Sequence, residues 1–244
     1  MTGRIGTAER TTTMRIMTAD GSLEAHVAYP ARMPAPVVIV LHEIFGVNAD
    51  IRTTCAELAA AGFVAVAPEL FWRDAPGLDL NSWSEADWER GMDLYRRYDL
   101  DRGTRDVADV LMAARSMEGG NGSVGVMGFC LGGLMSYLAA ARTAVDAAVV
   151  YYGGGTHQHL DQAGSVAVPI LMHFGDADEF IPDEARAAIQ AAFEGAPTAE
   201  IHIYPGCSHA FARHTGTHFD PAAAAAANAR TYAFMRKQLG STAV

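Results

Sequence analysis

The chain has 244 residues, half of them hydrophobic and 19% charged, with 18 basic against 28 acidic side chains for a net charge of −10. That length suits one large domain, and that apolar content gives a buried core rather than a disordered chain. The acidic balance, with no dense Lys/Arg run, excludes the electrostatic footprint of a nucleic-acid binder and slows approach to acidic lipids.

The N-terminal MTGRIGTAERTTTMRIM lacks the apolar core of a signal peptide, and residues 1–13 read as a flexible extension. MRIMTA and LEAHVAY predict an opening hairpin joined at Asp20-Gly21. PVVIVLH, apolar throughout, predicts a buried central strand at 36–42, followed by a helix over 49–61 that Gly62 ends. A strand at 63–68 leads into an excursion over 69–102. It holds Trp72, Trp83 and Trp88, the turn formers Pro76 and Gly77, and one helix near 84–98 with Ser82 as its possible cap.

A helix over 104–117, a strand at 123–128 and a helix over 131–142 come next. Strands at 146–153 and 169–175, a helix over 183–193, a strand at 199–205 and a closing helix over 221–239 behind Pro221 complete the chain. Strands alternating with helices predict a single α/β domain: a mostly parallel sheet with helices on both faces. No window offers about 18 uninterrupted apolar residues, so no membrane span is expected. The three cysteines, Cys55, Cys130 and Cys207, leave at least one thiol unpaired and suit a reducing, cytoplasmic setting.

In a parallel sheet, ligand groups collect at the carboxyl ends of strands. Four such ends carry unusual side chains: His42-Glu43-Ile44-Phe45-Gly46, Gly128-Phe129-Cys130-Leu131-Gly132-Gly133, Gly175-Asp176-Ala177-Asp178 and Pro205-Gly206-Cys207-Ser208-His209. Gly-x-Cys-x-Gly between a strand and a helix has the spacing of a nucleophile elbow with a thiol in place of serine. So sharp a turn needs small residues at Gly128 and Gly132. The following helix would aim its free N–H groups at the sulfur, an environment that favours thiolate.

A thiol nucleophile needs a base, and the base an orienting acid. Asp178 and His209 follow in the order nucleophile, acid, histidine that this fold class uses. Asp176 competes with Asp178 and suits a turn cap instead. His157 and His159 have a His-x-His spacing, but no acid or cysteine completes a metal set. Cys55 reads as filler on a helix face, and Cys207 lies near the site without an elbow.

Six blocks, LHEIFGVN (41–48), PELFWRDAPG (68–77), GFCLGG (128–133), YYGGG (151–155), GDADEFIP (175–182) and GCSHAFAR (206–213), resemble the dienelactone hydrolase family, the cysteine-bearing branch of the α/β-hydrolases. The resemblance runs from about residue 14 to 239. It implies an α/β-hydrolase fold and a carboxymethylenebutenolidase-like hydrolase of small esters or lactones, without metal or organic cofactor. Cys130 would form an acyl-enzyme, His209 would act as base and Asp178 would fix its tautomer. The N–H groups of Leu131 and Ile44 would form the oxyanion hole. Glu43 would meet the resting thiol, shield it by like charge, and take its proton when substrate binds.

For substrate binding, the resemblance points to Phe45 and to Arg213, which matches one of two family arginines for a substrate carboxylate. Trp88 stands at the place of the other arginine. Arg90 lies two residues on, about 200° around a helix, and either replaces it or sits on the surface. Met92 stands where the family has tyrosine, so the pocket is bulkier and less cationic. A thioesterase or peptidase could use the same atoms, and a non-catalytic ligand binder could use the same fold.

Overall fold

The computed structural model describes residues 10–240. Its centre is an eight-stranded sheet in the order β1-β2-β4-β3-β5-β6-β7-β8. The strands are β1 (Arg10–Thr18), β2 (Gly21–Tyr29), β3 (Ala35–Leu41), β4 (Val64–Pro68), β5 (Gly120–Phe129), β6 (Ala147–Tyr151), β7 (Ile170–Gly175) and β8 (Ala199–Tyr204). β1 and β2 pair antiparallel, as do β2 and β4, while every pair from β4 through β3 to β8 is parallel. All seven residues of β3 are buried, as a strand covered on both faces requires. This is the expected α/β-hydrolase architecture.

The helices are α1 (Ala49–Ala60), α2 (Glu85–Arg97), α3 (Leu100–Ser116), α4 (Leu131–Arg142), α5 (Asp183–Ala192) and α6 (Pro221–Leu239). α3 and α4 pack together on one side of the sheet. α1 and α6 are tied to each other by Tyr232 to Glu57 and by Arg236 to the Ala61 carbonyl. Among the described residues no helix is long and apolar enough to cross a membrane.

Several boundaries differ from the sequence reading for identifiable reasons. Of the N-terminal extension expected over 1–13, residues 1–9 lie outside the described residues, and residues 10–13 already pair in β1, Arg10 opposite Tyr29. The hairpin turns at Ala19-Asp20 instead of Asp20-Gly21, because Thr18 pairs with Gly21 and the Thr18 hydroxyl accepts from the Asp20 N–H. α2 is capped by Ser84, whose hydroxyl accepts from the Asp87 N–H, and not by Ser82. α3 begins at Leu100 because Asp99 caps it, accepting from Arg102 N–H. A 3-10 segment, Thr156–Ser165, has no counterpart in the sequence reading.

The site depends on how closely β3, β5 and α4 approach one another. Cys130 sits between β5 and α4 at φ 53°, a conformation costly for a residue with a Cβ. The turn is closed by backbone on backbone: Gly132 N–H donates to the His42 carbonyl at 3.1 Å and Cys130 N–H to the Tyr151 carbonyl at 3.1 Å. A Cβ on Gly128 would overlap the Gly132 peptide, and one on Gly132 would overlap the Leu41 carbonyl. Neither neighbour is a side chain that could move aside. Gly132→Ala is therefore expected to cost about 3 kcal/mol or more of stability. Gly164→Ala, where an added Cβ meets nothing within 4 Å, should stay within about 0.5 kcal/mol. Urea denaturation of the two variants checks the contrast.

Candidate active site

The four unusual strand ends converge. β5 delivers Cys130, which is partly exposed at the start of α4. There the first N–H groups of α4, beginning with Leu131, have no carbonyl within the helix to bond. The loop after β7 supplies Asp178 and the loop after β8 supplies His209, both buried. His209 Nδ1 and Asp178 Oδ2 are 2.8 Å apart, and the imidazole and Cys130 line the same cavity, close enough to interact electrostatically. Asp178 uses its other oxygen to accept from the Phe180 N–H at 2.9 Å, which fixes the carboxylate.

The choice between the two aspartates follows from their partners. Asp176 Oδ1 accepts from the Gly206 N–H, and Ala177 N–H donates to the Cys207 carbonyl at 3.1 Å. Asp176 thus binds the histidine loop to the acid loop, and Asp178 alone reaches the imidazole.

Burial by itself would lower the His209 imidazole. Negative charge on the nearby Cys130 and the hydrogen bond to Asp178 outweigh it and raise it to about 10. His42, which the sequence reading left without a role, orders the loop after β3. Burial pushes it down to about 4, so it is neutral. Its Nε2 accepts from the Leu70 N–H at 2.9 Å. The ring proton is then on Nδ1, which faces the Glu43 carbonyl at 2.5 Å. This holds the peptide leading to Ile44 in place.

Glu43 is buried, and its Oε2 accepts from Arg213 Nη1 at 3.1 Å. Its Oε1 and Arg213 Nε are buried without hydrogen-bond partners. The pair with Arg213, instead of the thiol contact expected from the resemblance, therefore holds this carboxylate. The reason is electrostatic: the largely buried guanidinium is the strongest available partner for a desolvated carboxylate.

A cavity of about 250 Å³ opens onto Cys130 and His209 and is also lined by Glu43, Phe45, Trp88 and Arg213. The excursion covers it. Leu80 N–H donates to the Phe45 carbonyl and Asn48 Nδ2 to the Leu80 carbonyl, anchoring the excursion to the loop after β3. α2 lies on that loop so closely that a Cβ on Gly91 would press on the Ile44 carbonyl. Trp88, Met92 and Tyr95, at helical spacing, turn one face of α2 to the cavity.

Arg90 is a correction. It is exposed, 3.7 Å from Asp93, and lies outside the cavity lining, as an offset of two residues on a helix dictates. The sequence also gave no sign that Ser82 Oγ and His157 Nδ1, both on cavity-lining residues, are buried and unpartnered. Cys55 is buried, which pushes its thiol up to about 12, and Cys207 is buried away from the cavity.

A family model described as the dienelactone hydrolase family matches residues 23–239. The chain is 42% identical over 229 residues to a carboxymethylenebutenolidase homologue of Azospirillum brasilense, covering 91% of this chain and 96% of that protein. It is 38% identical over 221 residues to the carboxymethylenebutenolidase of Pseudomonas putida, covering 90% and 94% respectively. Among solved structures, a dienelactone hydrolase homologue from Klebsiella pneumoniae subsp. pneumoniae superposes with a TM-score of 0.82 at 28% identity, covering 94% of this chain and all of that one.

Because the folded imidazole of His209 is raised, the stability it contributes is complete below its unfolded value of about 6.5. That contribution is lost as pH climbs through about 10. Nitrogen NMR of the histidine ring is expected to show the proton retained to about pH 10 and lost at lower pH in Cys130→Ala. Titration of the wild type near 6.5, the ordinary histidine range of about 6–7, would contradict the coupling.

Proposed function

The chain belongs to the dienelactone hydrolase family and is a hydrolase acting on carboxylic ester bonds, and we propose that it opens small lactones or cleaves small esters through an acyl-enzyme on Cys130. One observation supports this reading: an imidazole hydrogen-bonded to a buried carboxylate shares a cavity with a partly exposed thiol that stands at the start of a helix.

In the proposed reaction, Cys130 Sγ attacks the carbonyl carbon as thiolate. The carbonyl π-electrons move to oxygen, and the N–H groups of Leu131 and Ile44 bind the oxyanion. Collapse of the intermediate expels the alkoxide, which takes its proton from His209. A thioester remains on Cys130; with a lactone the freed hydroxyl stays tethered to the acyl group. His209, now neutral, removes a proton from water as the water attacks the thioester. Loss of the thiolate then releases the carboxylic acid and restores the imidazolium. Asp178 holds the proton-bearing Nδ1 toward itself throughout, so Nε2 does the transfer.

Arg213 and Glu43 link this chemistry to the ligand. A substrate carboxylate competing for Arg213 would free Glu43 from that ion pair. In the resting site the Glu43 carboxylate raises the cost of the thiolate by like charge and limits side reactions of the sulfur, while His209 holds the proton that the thiol gives up. The three free thiols support a reducing, cytoplasmic setting.

Cys130→Ala is expected to lower turnover of a chromogenic short-chain ester by at least about 10³-fold. Mass spectrometry should find iodoacetamide on Cys130 and not on the buried Cys55 or Cys207. Wild-type turnover in Cys130→Ala would reject the acyl-enzyme. Glu43→Gln is expected to speed alkylation of Cys130 several-fold at neutral pH, and a rate identical to wild type across pH would remove the shielding role from Glu43.

A further inference from the structure

The cavity wall contains a run of rings that the hydrolytic chemistry does not use. It begins at the cation and ends at the imidazole. Arg213 lies over Phe45 at 5.1 Å, and Phe45 meets Trp88 edge-on at 6.2 Å. Trp88 faces Phe180 with centroids 6.4 Å apart and planes within 23°. Phe180 in turn meets His209 edge-on at 4.8 Å.

Two features separate this run from ordinary core packing. Phe180 is 45% exposed, although it sits two residues from the buried Asp178 and its own N–H is fixed by that carboxylate. Its ring is therefore held by its backbone at the cavity, partly wet, where a ligand could cover it. Trp88 is carried by α2 on the face turned to the cavity, the same face as Met92 and Tyr95. The two rings come from different elements and are nearly parallel, so both present π-faces in related orientations.

Charge supports the same conclusion. Among the described residues, Arg213 is the only Lys or Arg that lines the cavity. The arginine that could have supplied a second cation, Arg90, points to solvent. A second carboxylate on a substrate would thus enter a region walled by rings, with no guanidinium or ammonium to meet it.

We infer that the substrate carries a planar aromatic group that packs against Trp88 and Phe180, so that the favoured class is aryl-bearing esters or lactones with at most one further anionic group, the one that Arg213 can hold. This deepens the hydrolase reading and rests on it for the word substrate. The recognition itself is a binding property that does not require turnover. Stacking on an aromatic face adds to what burial of equal area provides, by an amount that corresponds to about fivefold in affinity. An aliphatic ring of the same size lacks it.

The test is isothermal titration of the wild-type protein with phenylacetate and with cyclohexylacetate, which share a carboxylate and a six-carbon ring. Phenylacetate is expected to bind about fivefold tighter. In Trp88→Leu that ratio should fall below about twofold. The exposed Phe180→Leu serves as a second variant should Trp88→Leu fail to fold, and its ratio should fall in the same direction. Equal affinities in the wild type, no saturable binding of either acid, or a ratio that survives both substitutions would overturn the inference. Failure of Cys130 to become acylated or alkylated would instead defeat the hydrolase reading and leave the affinity ratio intact, so the two can fail separately.

Discussion

Everything at this site depends on one steric constraint, the contact of backbone with backbone where β3, β5 and the start of α4 meet. Gly132 bonds the His42 carbonyl and lies against that of Leu41, with no room for a Cβ. That contact brings the loop after β3, with Ile44 and Glu43, to the same place as Cys130. It also forces Cys130 to φ 53°, a strain that the surrounding sheet sustains because its strands are fixed in register on both sides. A looser turn would relieve the strain and separate the sulfur from the N–H groups proposed to bind the oxyanion.

Around this contact the molecule buries two ion pairs of different character. The Asp178–His209 pair faces the cavity that holds the thiol, where the proposed reaction would move protons. The Glu43–Arg213 pair lines the cavity, where the proposed function has it meet a ligand's charge. Each compensates desolvation that an isolated charge could not bear. They differ in their unused atoms: Asp178 is bonded at both oxygens, whereas Glu43 Oε1 and Arg213 Nε have no partners. A fully satisfied pair holds its geometry, and a partly satisfied one can exchange partners at low cost.

The sheet, its strand ends and the elbow were legible because each rests on a local rule. β3 is a continuous apolar run, α6 opens on Pro221 within the bounds its pattern gave, and the glycines around Cys130 mark a turn that no other residue fits. The preference for Asp178 over Asp176 agrees with the contacts, though no periodicity required it. Three kinds of feature were not legible. Ser82 and Ser84 are equally good caps on paper, and only the start of α2 at Glu85 decides between them. The 3-10 segment has no apolar period to reveal it. The partner of Glu43 and the role of His42 depend on residues 170 and 28 positions away, separations that local patterns do not encode. Arg90 was readable in principle, since the helical angle that takes it out of the cavity is a property of the spacing alone.

Gly91 gives the cover a mechanical property. With no side chain there, α2 rests directly on the Ile44 peptide, and Trp88 lies one turn earlier on the same helix. A guest too large for the aromatic wall would push that helix outward and disturb the backbone at Ile44, whose N–H is the proposed oxyanion donor. Such a molecule could still enter and be retained, yet react slowly. Discrimination by size would then register in the speed of bond cleavage more than in residence, because container and catalyst share one piece of backbone.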